Sequence, residues 1–233
     1  MKRIATLAFV LMICAVVVSP ALAANPVRIS QVFGGGGGSS PIYNYDFVEL
    51  FNASGVPIDI SGWAVEYGSA TGNWGSSTSN IVILPAGSTI PACGYFLIQC
   101  GGAGTAGGPL PVTADVIQAS GPSIGQSSGK IGLFNAVNSN KACGTETAGT
   151  LVDKVAFGTS NCAEVTATPA LTNASTAWRN LAGMTDTDNN LNDFTVVASN
   201  SVTIHNRFSP PNTECQVVPT VPGSWGNLKA IYR

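Results

Sequence analysis

Apolar residues along this chain recur at alternate positions or in short runs, never over a stretch long enough for an extended amphipathic helix. The runs are VRISQVF, DFVELFN, WAVEY, NIVIL, GYFLIQ, ADVIQA, KIGLFN, LVDKVAF and DFTVVA. Each is rich in β-branched or aromatic residues and bounded by Gly, Pro, Asn or Ser, which predicts strands and turns of an all-β antiparallel sandwich. In WAVEY the pattern places Trp63, Val65 and Tyr67 on one face and Ala64 and Glu66 on the other, as in a half-buried strand. ILPAGSTIPACGYFLI reads as two strands joined by a Pro/Gly turn.

Two ends depart from this pattern. Lys2 and Arg3 precede an apolar run from Ile4 to Val18, followed by Pro20 and the small residues Ala21 and Ala23. That is the order of a secretory signal with an A-x-A cleavage site. The run is shorter than the ~20 residues of a membrane span, so residues 1–23 are expected to be cleaved and the chain exported to the medium or cell surface. Residues 24–208 then form the domain. Residues 209–223, with four prolines between Ser209 and Gly223, read as a semi-extended linker. In the last segment, 224–233, Trp225, Leu228 and Ile231 recur at three-residue spacing. An isolated helix this short is marginal in water, so the segment docks elsewhere or stays unstructured. It also resembles short W-G-x-x-K-A-x-x-R tails on exported bacterial proteins, which implies an export or attachment tag.

Loss of Lys2 and Arg3 leaves eight basic against twelve acidic residues, a formal charge of −4. Eight scattered cations make no basic face, which excludes nucleic acid as a partner. Charged residues are 9% of the chain, against ~25% in ordinary domains. The surface is therefore mostly Ser, Thr, Asn and Gly, as in extracellular β-proteins. Five cysteines follow the signal: Cys93, Cys100, Cys143, Cys162 and Cys215. An oxidising compartment favours disulfides, but an odd number leaves at least one thiol free or paired outside the chain. Cys93 and Cys100 bracket a strand ~20 Å long, too far apart to bond each other. Cys143 with Cys162 is the first pair to try.

QVFGGGGGSSP, from Gln31 to Pro41, places five glycines behind a strand. A dinucleotide site needs a third Gly and a helix after it; here the third position is Ser39 and a strand follows. A P-loop needs Lys-Ser/Thr, which is absent. Without a helix N-terminus an anion loses most of its amide donors, so the run reads as a flexible connection between strands. The stretch RISQVFGGGGGSSPIYNYDFVELFNASGVPIDISGWAVEY, however, resembles the opening of a bacterial lamin-tail domain, with its S-Q-V-[YF]-G-G-G, D-F-[VI]-E-L-[FY]-N and G-W-x-[VI] motifs. LPAGSTIPACGYFLIQ, KIGLFN, VDKVAFG and STAWRNLAGMTDTDNNLNDF follow in the family's order, so the resemblance covers Val27 to Asn206. It implies an immunoglobulin-like β-sandwich that acts as a non-catalytic interaction module. In bacteria such modules are often attached to extracellular nucleases or other hydrolases, and no catalytic domain is appended here. Met184 stands where bacterial relatives often have Cys, a departure that offers one account of the odd thiol.

Candidate chemistry is thin. In TDTDNNLNDF, Asp186, Asp188, Asn190 and Asp193 place oxygens at near-alternate positions, a spacing that lets a loop wrap Ca²⁺. No other cofactor is implied. Leu191 occupies the Gly position of an EF-hand and no Glu closes the loop, and Asx turns built by the same residues are the competing account. Asp46 and Glu49, three apart on a strand, point to opposite faces and cannot form an acid/base pair. Glu49 and Asp153 are each expected to pair with a cation such as Arg28 or with backbone, and Arg179 is a reasonable partner for one of them. His205, the single histidine, reads as a surface residue. Ser123 in GPSIG lacks the strand–turn–helix of a nucleophile elbow. No nucleophile, base and orienter come together, so the expectation is no enzyme. Asn52 and Asn173 open formal glycosylation sequons that mean little in a bacterial host. The expected role is a secreted interaction or structural module for a protein or cell-surface component. The rivals are an accessory chain of an extracellular nuclease or hydrolase, and a calcium-assisted enzyme.

Overall fold

The computed structural model describes residues 25–215. The signal and the C-terminal segment therefore lie outside the described residues. The strands are β1 (Val27–Phe33), β2 (Asp46–Asn52), β3 (Ile58–Asp59), β4 (Ala64–Ser69), β5 (Ile81–Ile83), β6 (Thr89–Ile90), β7 (Tyr95–Cys100), β8 (Val116–Gln118), β9 (Gly129–Phe134), β10 (Leu151–Phe157), β11 (Ser175–Arg179) and β12 (Phe194–Ala198), with one α-helical turn, α1 (Asn190–Asp193), and 3₁₀ turns at Thr78–Asn80 and Asn180–Gly183.

Two sheets face each other. One runs β12-β11-β1-β2-β7-β8, the other β10-β9-β4-β5, with β3 and β6 forming a separate pair. Pairing is antiparallel except for β8, which lies parallel to β7. Between the sheets, Ile29, Val48, Leu50, Ile98 and Ala177 of the first meet Val65, Val82, Ile131, Leu133 and Val155 of the second, all fully buried. At about 1.5–3 kcal/mol for each larger aliphatic side chain removed from water, this layer is the main favourable term in folding.

Three strand expectations change. Ile81–Ile83 and Tyr95–Cys100 are not hairpin partners: β5 belongs to the smaller sheet and β7 to the larger, so the Pro/Gly connection with β6 carries the chain across the sandwich. Ser175–Arg179, inside the family-like motif but without an apolar run, is a full strand between β1 and β12. Val65 and Tyr67 face the core as expected, with Trp63 partly buried against it. Ala64 and Glu66, on the other face, are also wholly buried. A satellite cluster of Trp74, Ile81, Phe134 and Cys162 covers that face. Asn138 N donates to Glu66 Oε1 at 2.6 Å, which keeps the acid hydrogen-bonded under its lid.

The glycine run is not a loose hinge. Gly34, Gly35 and Gly36 are buried, and a Cβ on Gly35 would stand 2.6 Å from Asn173 O. Asp46 Oδ1 accepts from Gly36 N and its Oδ2 from Ile124 N, both at 2.8 Å. Bareness for close approach, rather than freedom to move, is what these positions require.

Cys143 and Cys162 are bonded, as the sequence suggested, and Cys93 is bonded to Cys215. Cys100 is free and buried in the main core. Met184 lies beside the Cys93–Cys215 cluster, so it does not account for the odd thiol. The second disulfide also moves the domain edge. Asn212 N donates to Cys93 O at 2.8 Å, and Asn212 Nδ2 donates to the carbonyls of Leu181 and Ala182, both at 3.0 Å. Residues 209–215 are thus a strap on the domain, beyond the boundary expected at 208.

Candidate functional site

Arg179 at the end of β11 is fully buried and organises the acidic loop after it. It points between the sheets, on the same face as Ala177, and its Nη2 meets Asp153 Oδ2 of β10 at 2.6 Å. The β1–β11 ladder stops at Gln31–Trp178. Ile29 beyond it sends its C=O to Arg179 Nε (2.7 Å) and its N–H to Asp153 Oδ2 (2.6 Å). The ion pair thus replaces a missing strand partner and bridges the two sheets. Burial would lower the Arg179 pKa, but Asp153, Asp186 and Glu164 outweigh it and hold the guanidinium charged. Burial raises Asp153 against the opposing pull of Arg179. Glu164, raised by burial and then by Asp153, reaches about 8.

Three of the four residues read as a calcium set have partners within the protein. Asp186 binds Arg28 Nε at 2.9 Å and Arg179 Nη1 at 3.3 Å. Asp193 Oδ1 accepts from Thr187 N and Oγ1, and its Oδ2 accepts from Asn189 N. Asn190 Oδ1 accepts from Ala156 N and Glu164 N, while its Nδ2 donates to Lys154 O and Glu164 Oε2. Asp188 is exposed, with a left-handed φ of 55°. Among the described residues Asp186, Asp188 and Asp193 do not gather into one cation-sized group. Asp186 and Asp193 face the Arg179 guanidinium, and the Asx turn in this loop is made by Asn189, whose Oδ1 accepts from Leu191 N at 3.2 Å.

The other singled-out residues separate as well. Glu49 pairs neither with Arg28 nor within a dyad with Asp46: Ser30 Oγ donates to its Oε1, and His205 N donates to its Oε2, both at 2.6 Å. His205 is not a surface residue. Its ring stacks on Tyr95 with centroids 4.1 Å apart, and its Nδ1 lies 3.3 Å from Glu49 Oε2. Position alone in the sequence gave no sign of this, because Glu49 is 156 residues away. Ser123 lines a cavity of about 330 Å³ together with the glycine loop and Asp46, without His205. Burial lifts Asp46 there to about 6 against the amides of Gly36 and Ile124. An acid at that wall disfavours an anion, in keeping with rejection of a phosphate loop. Cys143, Glu146 and Cys162 do lie within 4.8 Å of one another. Their sulfurs are joined as a disulfide and Glu146 accepts from Trp74 Nε1, so the trio is a structural staple. Asn52 is fully buried and donates to Val56, Ile90 and Pro91 carbonyls, which closes that sequon to a glycan in the folded state.

One face is left apolar and open. β5 and β8 each end a sheet. Near them Ile83 and Ile117 are 58% exposed, and Val137 is 41% exposed. A cavity of about 410 Å³ opens there, lined by Ile81, Ile83, Val137, Thr78, Ser139 and Gln118.

A two-sheet sandwich entered through a Gly-rich first loop, with buried D-F-V-E-L-F-N on its second strand, is the geometry implied by the family-like motifs. The lamin tail domain family model matches residues 20–159. The chain belongs to the lamin tail domain family. No curated protein sequence matches it. The match ends after β10, but β11 lies between β1 and β12 in the larger sheet, so the lamin tail fold here is completed by residues beyond it. The family is one of immunoglobulin-like modules that are not usually catalytic.

Proposed function

We propose that this lamin tail domain is a secreted, non-catalytic interaction module that takes an extended segment of a protein or cell-surface partner along the open edge at β5. The observation that carries the reading is the combination at that edge of a strand unpaired on one side with exposed Ile83 and Val137 around a cavity. An edge strand offers a row of free N–H and C=O groups, and apolar pockets beside it give side-chain selectivity. The low basic content argues against a nucleic-acid partner, and the N-terminal signal pattern supports export.

The test is selection of peptides from a displayed random library on the oxidised domain. Enriched peptides should be extended, with apolar residues at alternate positions, and should lose binding to Ile83→Lys while binding Val165→Lys, an exposed site elsewhere, unchanged. Equal binding to both variants, or no enrichment, would sink the proposal. N-terminal sequencing of the secreted chain should begin at Ala24; recovery of intact residues 1–23 on the exported protein would contradict export by cleavage.

A further inference from the structure

His205 is held in a way that a merely structural histidine does not need. One face of the ring is stacked on Tyr95, and Nδ1 faces the buried Glu49, which Ser30 and His205 N also hold in place. A carboxylate only accepts, so in the neutral ring the proton sits on Nδ1 facing Glu49, which leaves Nε2 as the acceptor. Nε2 has no hydrogen-bond partner among the described residues. His205 lines a mostly apolar cavity of about 400 Å³ with Tyr95, Val112, Ile204, Pro210 and Pro211. The strap that carries the two prolines is fixed by Asn212 and by the Cys93–Cys215 disulfide. The roof is therefore in place before any ligand arrives.

An apolar space of this size with one oriented polar group is how small-ligand sites are usually made. We propose that the cavity between the Tyr95–His205 stack and the Pro210–Pro211 strap binds an aromatic ring bearing one hydrogen-bond donor, such as a phenol or indole, with His205 Nε2 accepting from it. The prolyl rings of Pro210 and Pro211 supply apolar surface for the ligand ring. Glu49 fixes the tautomer, and so selects a donor over an acceptor on the ligand. The site is separate from the β5 edge, so neither proposal depends on the other.

The chain has a single histidine, which makes its ring resonances unambiguous reporters. Titration of the purified, oxidised chain with p-cresol should give a saturable shift of the His205 Cε1–H signal. Toluene, which keeps the ring and lacks the donor, should bind about tenfold more weakly, the worth of one hydrogen bond. Contacts seen by NOE should join the p-cresol methyl to Pro210 or Pro211. Val112→Trp, which fills the cavity, should abolish the shift. Were that variant not to fold, the NOE contacts and the toluene comparison on the unsubstituted chain decide the matter. N-acetyltyrosinamide, run in parallel, separates the sources: tighter binding than p-cresol points to a tyrosyl side chain of a polypeptide, weaker binding to a free phenol. A p-cresol shift that never saturates, equals that of toluene, or shows no contact to the strap overturns the proposal.

Discussion

At the scale of single residues the sandwich depends on a buried charge. Arg179 and Asp153 cross between sheets and take over the hydrogen bonds that Ile29 cannot find in the β-ladder. Removing one partner leaves the other buried and uncompensated, which costs about 3–5 kcal/mol. Asp153→Ala should therefore lower the urea midpoint sharply with an unchanged m-value. Arg28→Ala, which breaks a partly exposed pair with Asp186, should cost about 1 kcal/mol or less; equal losses in the two variants would show that the inter-sheet bridge is not the weight-carrying one. The pairing of Arg179 with a strand carboxylate was visible in the sequence, because a lone charge amid apolar residues must find a partner. That it substitutes for a strand was not, since a ladder's end depends on neighbours far along the chain. Gly36→Ala tests a second single-residue claim. The added methyl would collide with Tyr45 backbone and displace Asp46 N, and overpacking of this kind costs about 1–3 kcal/mol. A fully flexible loop would accept it without loss of thermal midpoint.

At the scale of elements the strap and the acidic loop were the least legible parts. The sequence from Ser209 onward is Pro-rich and aperiodic, which reads as linker, yet Cys215 closes onto Cys93 across 122 residues. Elimination within the sequence could remove Cys93–Cys100, because a strand's length is fixed, but it could not choose among distant partners. Chain-entropy arguments give a loop of that length about 4–5 kcal/mol and the 19-residue separation of Cys143–Cys162 about 3 kcal/mol. Cys215→Ala in a Cys93→Ala background should accordingly destabilise more than the matching double change at Cys143 and Cys162, as read by urea unfolding. The reverse order would show that the strap is held by its hydrogen bonds and not by the staple. In the acidic loop, alternate Asp and Asn suggested a cation, and one is present: the guanidinium of Arg179. Because Asp186 and Asp193 already face it and backbone amides, millimolar Ca²⁺ should leave the melting midpoint within error of that in EDTA. A rise of several degrees, abolished by Asp188→Ala, would restore the calcium reading.

At the scale of the whole molecule, strand periodicity and bounding turns were enough for the fold class, because alternation is set locally by the pleat. The covering of the outer sheet faces was not, since it depends on distant segments folding back, Trp74 and Cys143 on the smaller sheet and Leu110, Val112 and Ile204 on the larger. That extra covering has an electrostatic consequence. Burial raises Asp46 to about 6 and Glu164 to about 8, and also raises Glu66 and Asp115. Asp59 and Glu146 shift downward. A group whose folded pKa lies above its unfolded value contributes its stability fully below the unfolded pKa, near 4 for these carboxylates. The contribution is lost as pH rises through the folded value. In the window from about 4 to 8 these raised groups hold more protons folded than unfolded, and their contribution to stability falls as pH rises, by up to about 1.4 kcal/mol per pH unit for each such proton. The thermal midpoint should decline from pH 5 to pH 8. Glu164→Gln supplies the neutral form permanently, and its amide oxygen can still accept from Asn190 Nδ2, which now bonds the acid at 2.8 Å. It should flatten the decline between pH 6 and 8 while leaving the lower part, governed by Asp46, in place. A midpoint that rises over that range would mean that the inter-sheet ion pair, and not the buried neutral acids, sets the balance of protons in this fold.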